Sequence, residues 1–143
     1  MKKRIVLLMC LCALTPSMAA EPTSTCEDHG GTLIKAHVAT DPGCSADTCN
    51  GHEFCLSDKN MNWWSAFTWC ESQGRRLADF TTMCGNVSQS PSNTEGDCPN
   101  LQGKGDAWMW SSLAYSFNTA LVVLPSGAVQ YGYRSATLRA LCE

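Results

Sequence analysis

Two hydrophobic periods divide the chain. From residue 63 the apolar side chains fall at Trp63, Ala66, Phe67 and Cys70, the i, i+3, i+4, i+7 spacing that lines one face of a helix. Asn62 precedes this stripe and can cap it, since its side-chain oxygen accepts a main-chain N–H of the first turn. Gly74 supplies a stop and is followed by Arg75 and Arg76,. The spacing predicts a helix over about 63–73. Leu77, Ala78, Phe80 and Met83 read as a strand or short turn leading into a second brief helix near 80–86.

Beyond residue 106 the pattern turns to strands: "AWMWS" at 107–111, with Trp108 and Trp110 alternating, β-branched "ALVVL" at 120–124, "AVQYGY" at 128–133 and "LRALC" at 138–142,. Pro125-Ser126-Gly127 is a turn, so 120–133 reads as a hairpin,. Between the helices and these strands, residues 85–106, "GNVSQSPSNTEGDCPNLQGKGD", carry almost no apolar side chain and predict a long surface loop,. Residues 20–54 are rich in Gly, Thr, Asp and Cys. One apolar segment, Leu33 to Val38, suggests a single strand within this loop-rich entry,.

The first residues change the picture. Lys2, Lys3 and Arg4 precede an apolar run from Ile5 to Leu14, and Ser17-Met18-Ala19 offers small residues for cleavage. This predicts a bacterial-style signal peptide over 1–19, removed after Ala19. The apolar run is shorter than the roughly 18 residues that suggest a membrane span. Cys10 and Cys12 lack the small preceding residues of a lipid-modified cysteine. The expected organisation is leader 1–19, cysteine-rich extension 20–52 and main domain 53–143, with no membrane insertion after cleavage. Of 143 residues, 10 are basic and 13 acidic. The leader holds Lys2, Lys3 and Arg4, so the exported chain is more acidic still, and an acidic surface repels nucleic acid.

Eight cysteines follow the leader: Cys26, Cys44, Cys49, Cys55, Cys70, Cys84, Cys98 and Cys142. An even number in an exported chain predicts four disulfides. The absence of any C-x-x-C spacing argues against structural zinc and against a thiol oxidoreductase. Cys84 and Cys98 bracket much of the polar loop, and a bridge there would reduce the open chain's entropy by roughly 3 kcal/mol.

The stretch "EFCLSDKNMNWWSAFTWCESQGRRLADF" resembles the first half of a C-type lectin-like domain: an aromatic strand residue (Phe54), then Trp63, Ala66 and Cys70 on a helix, then Gly74, Leu77 and Ala78. Leu141-Cys142-Glu143 is similar to the apolar-Cys-Glu ending of that family. The resemblance covers residues 53–143. It implies an α+β, C-type lectin-like fold with two short helices and small antiparallel sheets, stabilised by disulfides. It also implies a Cys70–Cys142 bridge from the helix to the last strand. With Cys84 paired to Cys98, three pairings of Cys26, Cys44, Cys49 and Cys55 remain open.

Candidate chemistry narrows quickly. The family's calcium-dependent sugar binding uses a Glu-Pro-Asn or Gln-Pro-Asp triplet followed by Trp-Asn-Asp, and neither is present. Glu95, Asp97 and Asp106 are spread through the loop, whereas calcium needs six to eight oxygens,. His29, His37 and His52 all lie in or beside the cysteine-rich entry, outside any catalytic signature, and no G-x-S-x-G is found,. "QGKG" at 102–105 lacks phosphate-loop spacing,. Asn86-Val87-Ser88 matches a glycosylation acceptor. No catalytic residue, metal ligand or cofactor is expected.

What remains is contact. Trp63, Ala66 and Phe67 are expected in the core. Trp64 and Trp69 lie off the stripe, packed under the N-terminal segment or, for Trp64, exposed as a contact. Candidate ligand-binding residues are Trp108, Tyr131, Tyr133 and Arg134, because exposed aromatics give large contact area with little entropy to lose. Alternation puts Tyr131 and Tyr133 on one face and Gln130, Gly132 and Arg134 on the other, and only one face can be core. The expected function is a non-enzymatic binding or adhesion module, secreted, periplasmic or on the cell surface, recognising a protein or glycan without calcium. The rival is a structural subunit of a pilus or fibre.

Overall fold

The computed structural model describes residues 25–36, 52–85, 88–91 and 97–143. The expected leader, Cys44, Cys49, His37, Asn86, Val87 and Glu95 lie outside the described residues. Among the described residues six strands form one sheet: β1 (Gly31–Ala36), β2 (His52–Met61), β3 (Met109–Ala114), β4 (Thr119–Val123), β5 (Val129–Tyr133) and β6 (Leu138–Cys142). Their order is β1-β2-β6-β3-β4-β5. Two helices, α1 (Trp63–Glu71) and α2 (Phe80–Cys84), complete an α+β domain.

The sheet is single and mixed rather than several small antiparallel ones. Residues 134–137 carry the chain from edge strand β5 across to β2, so β6 enters between β2 and β3. It pairs antiparallel with β2 and parallel with β3. Strand β1, which the sequence places in the N-terminal extension, pairs along its whole length with β2, from Gly31 opposite Ser57 to Ala36 opposite His52.

Local chemistry sets the helices. Asn62 caps α1 by accepting from the Ser65 N–H at 2.9 Å. Past Glu71 the chain turns once more to Gly74, whose φ of 69° admits the left-handed conformation,. There the Arg75 N–H returns to the Cys70 carbonyl and the Gly74 N–H to that of Glu71, the paired bonds of a glycine-terminated helix. Asp79 caps the short α2 by accepting from the Thr81 N–H at 2.8 Å.

The sheet separates two cores, and the two-residue period sorts side chains between them. Phe54, Leu56, Met109, Leu121, Val123, Val129 and Leu141 join Phe80, Met83 and Leu101 on the α2 face. Cys55, Trp110, Ala120, Val122, Ala140 and Cys142 join Trp63, Ala66 and Cys70 on the α1 face. Strand β4 is buried at every position, which explains its unbroken apolar run,. Trp63 and Trp110 keep their ring N–H groups satisfied by the Ser111 and Met61 carbonyls, both at 2.9 Å,.

Among the described residues three bridges are formed, and the fourth expected one falls outside them. Cys70–Cys142 ties α1 to β6, Cys84–Cys98 ties α2 to the following loop, and Cys26–Cys55 ties the entry turn to β2. Cys55 and Cys142 face one another on adjacent strands, so two of the bridges are neighbours. The described part of the loop lies at the surface as expected, but it is anchored at two points. Cys98 and Leu101 are fully buried, and the Cys98 and Gly103 N–H groups bond the Gly127 and Pro125 carbonyls at 2.7 and 2.8 Å. One leucine and one bridge are enough to dock the loop's second half on the β4–β5 turn.

Candidate functional site

The β4–β5 hairpin decides which way its outer strand faces. Gly132 sits over the α1-side core. A Cβ there would lie 3.0 Å from two Trp110 ring atoms and 3.2 Å from Val122. Its neighbours two residues away, Gln130 and Arg134, share that face. Tyr131 and Tyr133 therefore point from the other face, on the edge strand past buried Val129. They are 49% and 60% exposed.

Two further aromatics join them from the β3–β4 connection. Tyr115 stacks on Tyr131, with centroids 5.9 Å apart and planes 8° from parallel. Phe117 stands at the loop tip, 97% exposed. The loop is tightly tied. The Tyr115 and Ser116 N–H groups both bond the Thr119 carbonyl, and the Ser116 and Thr119 hydroxyls meet at 2.6 Å. The sequence reading passed over this segment. Its signal was two aromatics set among Ser and Asn between two strands, where a plain turn needs none.

Arg134 takes a different part. Its guanidinium lies 4.2 Å from the Trp63 ring centroid and donates to the Ser116 carbonyl at 2.8 Å and the Thr119 carbonyl at 3.3 Å. Its main-chain N–H bonds the Asn118 carbonyl at 2.9 Å. Arg134 thus fastens the loop bearing Tyr115 and Phe117 to the helix side of the sheet, rather than presenting charge to the tyrosine face.

Trp108 stands apart. Met109 is level with Val123 and Val129, whereas Tyr133 is level with Thr119 at the other end of the strands. Trp108 lines a shallow apolar hollow of about 400 Å³ with Asn60, Ala107 and Leu138. A second open hollow of about 550 Å³ runs along α1, lined by Met61, Trp64, Ser65, Thr68, Trp69 and Ser72. Here Trp69 donates to the His29 carbonyl at 3.1 Å, beneath the N-terminal turn, while Trp64 is exposed. The sequence-derived set thus falls into three places. Tyr131 and Tyr133 share one surface, Arg134 supports it from behind, and Trp108 belongs elsewhere.

The segment that carries the tyrosine surface contributes no charge of its own. No Asp, Glu, Lys, Arg or His occurs from Ala107 to Tyr133. Among the described residues no three His, Cys, Asp or Glu side chains converge as metal ligands, and no helix is long and apolar enough to cross a membrane. His52 packs against Phe54 with ring centroids 4.6 Å apart. The chain matches no protein-family model, and no curated protein is significantly similar to it.

Proposed function

We propose that the chain is an exported, non-enzymatic binding module of the C-type lectin-like kind, and that it recognises a glycan or protein without calcium through its tyrosine surface. The observation that carries this reading is the Tyr115–Tyr131 stack, with Tyr133 exposed on the same face of β5 and Phe117 exposed at the tip of the adjoining loop. Rings held in place offer apolar faces and hydroxyl tips at little entropic cost on binding. The strands and loop that carry it hold no charged residue from Ala107 to Tyr133, which suits a neutral ligand face. The lectin-like assignment draws support from the Cys70–Cys142 bridge between α1 and β6. Export draws support from the three disulfides, which persist in oxidising compartments,.

A glycan array run with and without chelator tests the reading. Bound glycans are retained in chelator and lost from Tyr115→Ala and Tyr131→Ala. Binding that chelator abolishes overturns calcium independence, and binding that survives both substitutions overturns the site. One observation favours the rival, a subunit of a surface assembly. Strand β5 is a sheet edge that nothing covers among the described residues.

A further inference from the structure

We propose that this β5 edge pairs antiparallel with the β5 edge of a second copy of the chain, about a two-fold axis at Tyr131. The two sheets then become one, and the two tyrosine faces one surface.

The hydrogen-bond parity of the hairpin carries the argument. The Leu124 N–H bonds the Ala128 carbonyl, and the Arg134 N–H bonds the Asn118 carbonyl. The register sets Ala128 opposite Leu124 and Arg134 opposite Asn118. In an antiparallel ladder, hydrogen-bonded pairs alternate with non-bonded ones. Residues 128, 130, 132 and 134 therefore turn their main-chain groups toward β4, while Val129, Tyr131 and Tyr133 turn theirs outward. This outward set is symmetric about Tyr131. In a two-fold pair the Tyr131 residues exchange both N–H···O bonds, and each Tyr133 N–H meets the partner's Val129 carbonyl. The Tyr133 carbonyl already accepts from the Ala136 N–H at 2.7 Å, and that turn is undisturbed.

The side chains suit the same register. Tyr131 lies against the partner's Tyr131 and Tyr133 against the partner's Val129, aromatic–aromatic and aromatic–β-branched pairs that favour strand association. On the other face Gln130 meets the partner's Gly132, where Trp110 leaves no room for a larger residue.

Charge singles out a copy of the chain as the occupant. Natural edges are commonly defended by a lysine, a proline or a bulge. The opposite edge, β1, carries exposed Lys35, whereas β5 reads Val-Gln-Tyr-Gly-Tyr. A chain of formal net charge −3 meets its own copy most easily where its charge is missing, and the stretch from Ala107 to Tyr133 is that place,.

The test uses the full, oxidised chain. At about 100 µM, where an interface at the small end of the size range is still populated, sedimentation gives twice the single-chain mass. Amide exchange at Tyr131 and Tyr133 slows as concentration rises, while Gln130 and Gly132 stay protected at all concentrations. Tyr131→Lys gives single-chain mass with Gln130 and Gly132 still protected, and Trp64→Lys on the exposed face of α1 leaves the doubled mass unchanged. Single-chain mass at every concentration overturns the proposal. So does a dimer in which the Tyr131 and Tyr133 amides exchange as in the monomer, or one that Tyr131→Lys leaves intact. Should Tyr131→Lys misfold, the wild-type amide pattern decides. Glycan retention is scored separately, so either reading can fail while the other stands.

Discussion

The two halves of the sheet are built by opposite means. The β1-β2-β6 half is polar at its rim, with Lys35, Glu53, Asp58, Lys59 and Arg139 on its strands, and an Arg75–Glu53 ion pair at 3.3 Å closes one side. Two disulfides and α1 hold it together. The β3-β4-β5 half has no charged residue and no bridge between its strands; it is held by its hydrogen-bonded ladders and by packing, with β4 buried throughout. Both of these cross-links lie in the half whose strands carry charge. The exposed aromatics of the candidate surface lie at the edge and loop of the half without cross-links.

Removing a staple should break this contrast most strongly. Joint replacement of Cys70 and Cys142 by Ala restores the entropy of a loop with sequence separation 72, a loss of about 4 kcal/mol in the chain-entropy account. Denaturant unfolding measures it, and amide exchange should show β1, β2 and β6 opening before β3 and β4. In the other half the sensitive feature is fit. Gly132→Ala forces a Cβ against Trp110 and should cost about 1–3 kcal/mol by overpacking,, again read from denaturant midpoints. Arg134→Ala removes two carbonyl contacts and the Trp63 stack, for about 2 kcal/mol. Its sharper signature is faster amide exchange at 115–119, with weaker glycan retention even though Tyr131 is untouched.

The smallest effect is a pH dependence in the stapled half. Asp28 accepts from the Thr25 N–H and from its hydroxyl, both at 3.0 Å. These bonds, the main-chain one foremost, hold its carboxyl below the usual range. A lowered folded-state pKa stabilises the turn fully above the ordinary carboxylate range, and that contribution is lost as pH falls through the lowered value. Acid titration followed by NMR should show the Thr25 amide losing protection there, while Tyr131 and Gly132 stay constant.

Helix α1 was legible from Asn62, Gly74 and the stripe between them because capping and periodicity are local. The β4–β5 hairpin was legible because its turn chemistry is local too. The position of β6 was not, since a crossover of four residues (134–137) can return to either side of a sheet. The length of β2 was hidden for a related reason: Ser57 to Asn60 are polar and extended only because β1 and β6 pair with them. At the candidate surface, alternation divided Tyr131 and Tyr133 from Arg134 correctly. It could not choose the outward face, which the close approach of Gly132 to Trp110 decides. Trp108 looked equivalent to Trp110 by spacing, yet it precedes the first residue of β3 and escapes the core.

The Cys70–Cys142 bridge encloses the Cys84–Cys98 bridge entirely within its loop. A chain oxidised in the order in which its thiols emerge would join Cys26 to Cys44 rather than Cys55, and later Cys70 to Cys84 rather than Cys142. Reaching the native pattern then requires exchange through a mixed disulfide, with Cys70 held available until the last strand arrives. Where oxidation outruns folding, maturation of this domain therefore calls for thiol–disulfide exchange, and not for oxidising power alone.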